Sequence, residues 1–218
     1  MKKGVPLWRQ QRHLPRKCVP LSMRPWLSDA ASLTQRLRQA CQGRFQVQVV
    51  SQGRERPLRD ERHALGMRDH EYALVRMVYL LCGGQPWVFA RTVIPLRTLS
   101  GAQRRLGCLG TRPLGEMLFA DRSMRRSEVE VVRLAPESVL FGLATAGLAQ
   151  PPQAPGRPLS ASCLWRHLSI PARRMPKCGE RRDAQESPIW GRRSVFYLQD
   201  KPLLVSEFFL PELMGVDT

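Results

Sequence analysis

The chain has 218 residues, 43% of them hydrophobic, which suits one domain with its own core and excludes a globally disordered chain. Its formal net charge is +17, from 35 Lys and Arg against 18 Asp and Glu, and only five of the 35 are Lys. Such a balance fits nucleic acid, an anionic membrane surface, an anionic substrate, or simply an Arg-biased proteome. No run approaches the ~20 apolar residues of a membrane span. The N-terminus lacks the apolar stretch of a signal peptide, so a cytoplasmic protein without stable membrane insertion is expected.

Residues 1–23 read as a basic flexible tail; the first twenty carry six basic residues and no acidic one. A domain over 24–214 follows. Ser28–Gln42 is predicted helical, with Ser28 as cap, Gly43 as terminator, and Leu33, Leu37 and Cys41 on one face. Phe45–Ser51 alternates as a half-buried strand. Arg54–His70 is charged and reads as loop or sheet edge. Leu74–Cys82, the turn Gly83-Gly84 and Trp87–Ile94 make a hairpin, stopped by Pro95. Ser100 can cap a short helix over Gly101–Leu106, Pro113–Ala120 reads as a helix or turn, and Ser127–Leu134 as a strand.

The segment 135–187 differs: after the apolar stretch Val139–Leu148 it turns rich in Pro and Arg, and it reads as a weakly structured insertion. A second hairpin follows, Arg193–Leu198 and Leu203–Leu210 around Gln199-Asp200-Lys201. Locally paired strands with a few helices predict a single α+β domain, an antiparallel sheet with helices packed on it. The six cysteines show neither CxxC spacing nor a zinc pattern and read as free thiols of a reducing compartment.

Charges inside apolar strands are the informative residues. Alternation puts Arg76 on a face with Leu74, Val78, Leu80 and Cys82, Arg91 with Trp87, Phe89 and Val93, and Glu207 with Leu203, Val205 and Phe209. A buried unpaired charge costs several kcal/mol or more, so these residues need partners. One reading is a structural Arg–Glu pair or a snorkelling edge Arg. The other is a closed polar pocket in which Arg grips a carboxylate and Glu meets a hydroxyl or a proton in transfer.

At these strands the sequence resembles the chorismate pyruvate-lyase family. The resemblance is carried, in order, by Ser32-Leu33-Thr34, Arg76, Gly84-Gln85-Pro86-Trp87 and Arg91-Thr92-Val93-Ile94-Pro95. Thr98-Leu99-Ser100-Gly101, Pro113-Leu114-Gly115, Trp190-Gly191-Arg192-Arg193-Ser194 and Glu207-Phe208-Phe209-Leu210-Pro211 follow. It covers about 24–134 and 188–214 and skips 135–187. It implies a monomeric, cofactor-free lyase acting on chorismate and releasing 4-hydroxybenzoate and pyruvate, the first committed step towards ubiquinone. Residue by residue, it implies that Arg76 binds a carboxylate, Glu207 meets the ring hydroxyl, and Leu114 and Leu33 touch substrate through the backbone. It also implies that Arg91 is a second pocket arginine, with Arg192 and Arg193 at the surface or a strand end. Two alternatives stand beside it: a non-catalytic domain binding small aromatic acids on the same fold, and a basic nucleic-acid-binding protein. For the latter no helix-turn-helix, zinc-finger or aromatic RNA-binding motif is present, so no nucleic-acid partner is expected.

Overall fold

The computed structural model describes residues 6–29, 31–148 and 187–215. Its strands are β1 (Arg9–Gln10), β2 (Phe45–Glu55), β3 (Ala73–Cys82), β4 (Gln85–Pro95), β5 (Arg125–Arg126), β6 (Glu130–Leu134), β7 (Ile189–Leu198) and β8 (Lys201–Phe209). Its helices are α1 (Arg24–Ser28), α2 (Leu33–Ala40), α3 (Arg59–Ala64), α4 (Leu114–Ala120) and α5 (Val139–Thr145), with short 3-10 segments between them. All strands join one antiparallel sheet in the order β1-β6-β7-β8-β4-β3-β2, with β5 paired to β7. The fold is α+β, as the alternation pattern predicts.

Both expected hairpins are present. Gly83 and Gly84 make the β3–β4 turn with φ of +57° and +84°, conformations that cost glycine nothing. Gln199 and Asp200 make the β7–β8 turn with φ of +49° and +64°, and the Asp200 carboxylate is held there by Arg125. The sheet buries both faces. Under α1 and α2, Trp26, Leu27, Leu33 and Leu37 pack on Val78, Leu80, Val88, Trp190 and Phe209. Under α5, Leu140, Phe141 and Ala144 pack on Tyr79, Phe89 and Phe208. Each large apolar side chain fully buried this way contributes roughly 1.5–3 kcal/mol, and tertiary packing rather than length holds these short helices.

Several elements differ from the sequence expectation. The single helix over Ser28–Gln42 is two. Ser32 caps α2 by accepting from the Gln35 N–H, while Ser28 donates to the Arg24 carbonyl. Asp29 turns the chain between them, accepting from the Ala31 N–H and from Arg36. Strand β2 runs on to Glu55 through a bulge between Val49 and Ser51, and α3 follows where a loop was expected. The basic tail lies on the sheet from Pro6 onward: β1 pairs β6, Val19 is buried, and the Trp8 ring sits 6.1 Å from that of Phe208. Its few apolar residues, not its charge, decide its place. Within the proposed insertion, Ser138 caps α5 by accepting from the Phe141 N–H; 149–186 lie outside the described residues.

The expectation of free thiols is corrected for Cys41, Cys82 and Cys108, each of which is disulfide-bonded. The end of α2 and the end of β3 approach to a Cα–Cα distance of 5.7 Å, within bridging range, and the Cys41 and Cys82 sulfurs form a disulfide. Cys18 is free and exposed. No helix among the described residues is long and apolar enough to cross a membrane.

Candidate active site

Sheet register sets the site. On the face covered by α1, α2 and α4, one row across the strands reads Val78, Ala90, Glu207, Arg192, and the next reads Arg76, Thr92, Val205, Ser194. Directly opposed residues share a face, so two arginines and a glutamate project into the same space between sheet and helices. A cavity opens there. It is lined by Arg76, Val78, Ala90, Thr92, Val205, Glu207 and Arg192 from the sheet. Leu33 and Thr34 of α2, Leu114 and Gly115 of α4, and Arg126 of β5 also line it.

Arg76 is 2% exposed. Its Nη1 donates to Gln52 Oε1 at 3.2 Å and to the Gly110 carbonyl at 2.8 Å, and Nη2 donates to the Arg112 carbonyl at 3.4 Å. These bonds hold the loop that leads into α4. No carboxylate among the described residues pairs with it. Burial therefore pulls its pKa down to about 10, which leaves it cationic at neutral pH. A desolvated cation without an anion is a site prepared for one.

Glu207 is the counterpart. Arg192 Nε donates to its Oε2 at 2.6 Å, leaving Oε1 without a bond to any described residue. Arg192 is 1% exposed, and its Nη1 donates to the Trp26 and Asp29 carbonyls at 2.8 and 2.7 Å. It thus ties Glu207 to the end of α1 and to the connection into α2. The sequence expectation for Arg192 and Arg193, at the surface or a strand end, is corrected: both are buried, because β7 begins at Ile189 and both lie within it.

Leu33 and Leu114 are each the first residue of a helix, so their backbone N–H groups have no intrahelical acceptor. The two helix starts pack against each other at Gly115, where a Cβ would lie 3.0 Å from Thr34 Oγ1 and 3.3 Å from Ser32 Oγ. That contact explains glycine in this position.

Arg91 does not line the cavity, which corrects its expected place among the pocket residues. It lies between Ala90 and Thr92, which do line it, so alternation sends it to the opposite face. There Nε and Nη2 reach Glu61 Oε1 and Oε2 at 2.7 and 3.1 Å in a buried fork. Next to it, Arg193 donates to Glu130 and to Asp60, at 2.7 and 2.8 Å, under the Trp8 ring. Asp60 and Glu61, consecutive in the first turn of α3, thus neutralise the two arginines of the far face. The structural reading of a buried arginine applies to Arg91 and the pocket reading to Arg76. Two lining arginines, Arg192 and Arg126, escaped the sequence reading. The strand pattern around Gly191 could have shown Arg192 if that strand had been begun earlier, whereas β5 is too short to give a pattern.

A family model described as chorismate lyase matches residues 4–146. A probable chorismate pyruvate-lyase of Methylococcus capsulatus is 39% identical over 194 residues, covering 89% of this chain and 98% of that protein. Another from Azoarcus sp. is 37% identical over 203 residues, covering 93% of this chain and 90% of that protein. Among solved structures, PhnF from Mycobacterium smegmatis aligns with a TM-score of 0.47 at 12% identity, covering 86% of this chain and 67% of that one.

Proposed function

The chain belongs to the chorismate lyase family, and from that premise we propose that it is a cytoplasmic, cofactor-free chorismate pyruvate-lyase. It eliminates pyruvate from chorismate, leaves 4-hydroxybenzoate, and so opens the route to ubiquinone. The observation that carries this reading is one cavity holding a buried Arg76 with no carboxylate partner and a Glu207 with one oxygen unbonded, both among the described residues.

Arg76 grips the ring carboxylate with its planar guanidinium. The backbone N–H groups of Leu33 and Leu114 add donors that no helical bond uses. Glu207 meets the ring hydroxyl through Oε1, while Arg192 fixes its rotamer through Oε2. In the reaction the ether C–O bond breaks and its electrons stay with the enolpyruvyl oxygen. The hydrogen on the hydroxyl-bearing carbon leaves as a proton, and its C–H pair completes the aromatic ring. The departing fragment takes up a proton at its methylene carbon and becomes pyruvate. Aromatisation supplies the driving force, so the residues' task is positioning and electrostatic stabilisation.

The test is to mix purified protein with chorismate, without added metal or nucleotide, and follow 4-hydroxybenzoate and pyruvate together. Equal formation of both, lost in folded Arg76→Ala and Glu207→Ala variants, is the expected result. Binding of 4-hydroxybenzoate by a folded protein that forms neither product would instead mark a non-catalytic binding domain.

A further inference from the structure

We propose that Thr92 is a catalytic residue: its hydroxyl donates a hydrogen bond to the ether oxygen of the substrate and stabilises the charge that gathers there as the C–O bond breaks. This rests on the lyase reading above and deepens it.

Two of the described lining residues carry a hydroxyl, Thr34 and Thr92. Thr34 lies on α2, packed against Gly115 at the start of α4. Thr92 lies on the sheet side of the cavity, in β4, and is 4% exposed. Its Oγ1 makes no hydrogen bond to any described residue. It is not walled in either: the enclosed side-chain atoms without a partner among the described residues are Ser51 Oγ, Arg62 Nε and Gln103 Oε1. The Thr92 hydroxyl therefore opens to the cavity. An unbonded hydroxyl in a buried place is costly, and a ligand that bonds it recovers the loss.

Register places Thr92 between the two groups that hold the ring. It stands directly opposite Arg76 on β3 and opposite Val205 on β8, hence diagonal to Glu207. Cβ atoms so related lie about 5 Å apart for the direct pair and about 7–8 Å for the diagonal one. With the ring carboxylate at Arg76 and the ring hydroxyl at Glu207, on opposite carbons of the ring, Thr92 meets the ring edge between them. Elimination across adjacent carbons requires the ether oxygen on such an edge, beside the hydroxyl-bearing carbon.

The other polar groups on the ring are matched without Thr92. A guanidinium has five N–H donors. The bonds of Arg76 use both on Nη1 and one on Nη2. Its Nε–H and second Nη2–H remain for the ring carboxylate. With the Leu33 and Leu114 N–H groups they make about four donors, as many as a carboxylate has lone-pair sites. Glu207 Oε1 accepts from the ring hydroxyl. The ether oxygen is left as the ring substituent without a partner, and Thr92 is the hydroxyl beside it. Thr92 keeps its proton throughout. The C–O pair stays on the oxygen, and the hydrogen bond strengthens as that oxygen becomes an enolate, which is later protonated at its methylene carbon.

The experiment compares wild type, Thr92→Val and Thr92→Ser. It follows the single-turnover rate of 4-hydroxybenzoate formation with enzyme in excess, the Kd for 4-hydroxybenzoate, and melting without ligand. Valine keeps the shape and removes the hydroxyl. It is expected to lower the single-turnover rate by about 10- to 100-fold. The Kd for 4-hydroxybenzoate, which has no ether, is expected to stay within about twofold, and Ser to recover part of the rate. The unliganded Val variant is expected to melt no lower than wild type, since the hydroxyl it lacks bonds no described residue. An unchanged rate overturns the proposal. So does a matching rise in the Kd for 4-hydroxybenzoate, which would assign the hydroxyl to the ring carboxylate or ring hydroxyl. A rate loss that only follows a marked fall in melting temperature overturns it as well, and would mark a structural threonine. A folded wild-type protein that forms no product overturns the lyase reading and this proposal with it, an outcome distinct from wild-type turnover that Thr92→Val leaves intact.

Discussion

Arg76 and Arg91 stand one register position apart on the paired strands β3 and β4, Arg76 opposite Thr92 and Met77 opposite Arg91, and they point to opposite sides of the sheet. Each is almost fully buried. One faces a two-pronged carboxylate from α3; the other faces the cavity and pairs with no carboxylate among the described residues. The same residue type at equal burial thus serves structure on one side and ligand capture on the other.

On the structural side, Arg91→Ala strands the buried Glu61 carboxylate and is expected to cost about 3–5 kcal/mol of stability. Pairing Arg91→Met with Glu61→Leu should recover most of that loss, less the Leu58 N–H bond through which Glu61 caps α3. Urea denaturation of the two singles and the double measures this. The KM for chorismate of the folded double variant is expected to match wild type, because neither residue lines the cavity.

On the ligand side, Arg76→Met replaces a desolvated cation by an apolar chain of similar length. The unliganded protein gains from losing an unpaired buried cation but gives up the bonds to Gln52, Gly110 and Arg112, and is expected to lose about 1–3 kcal/mol of stability while remaining folded. Saturating 4-hydroxybenzoate at a hundred times its Kd should stabilise wild type by about 2.7 kcal/mol and leave the variant's melting temperature unmoved. A scanning-fluorimetry titration reads both.

Gly191 offers a test of packing alone. A Cβ there would lie 2.5 Å from Cδ1 of Phe208, a ring with no exposed surface, and 3.2 Å from the Glu207 carbonyl. Gly191→Ala is expected to destabilise by about 1–3 kcal/mol, with part of the loss restored when Phe208→Leu is added. Thermal melts of the three variants decide it.

The Cys41–Cys82 disulfide closes a loop across a sequence separation of 41. Chain-entropy arguments put its contribution at about 4 kcal/mol. Denaturation of wild type and of a Cys41→Ser, Cys82→Ser double variant, both without reductant, is expected to differ by that order, since dithiothreitol would also open the bond at Cys108.

Legibility followed apolar patterning. Strands β3, β4 and β8 are apolar along most of their length, and it was this that made Arg76 and Glu207 visible as charges in apolar company. Alternation carried the answer for Arg91, since Ala90 and Thr92 flank it, but alternation alone does not say which face bears the cavity. Leu33 and Leu114 came from motif resemblance; their positions as first residues of α2 and α4 then supply a physical basis. Arg126 sits in a two-residue strand, Trp8 in a segment dominated by charge, and Cys41 and Cys82 meet only once helix and strand are packed. None of these has a local signature. The large positive charge also reads differently in three dimensions, because Arg76, Arg91, Arg192 and Arg193 are turned inward.

Strand order has a consequence for biosynthesis. Strand β8, though late in the chain, occupies the middle of the sheet, between β4 and β7. A ribosome therefore delivers β2, β3 and β4 with one edge open, and β6 with no neighbour on its β7 side, long before the hairpin that joins them. Asp60 likewise waits for an arginine 133 residues downstream. The strand that closes the sheet also carries Glu207, so the nascent chain gains its complete core and its acid in the same event, and a truncated product lacking this hairpin has neither.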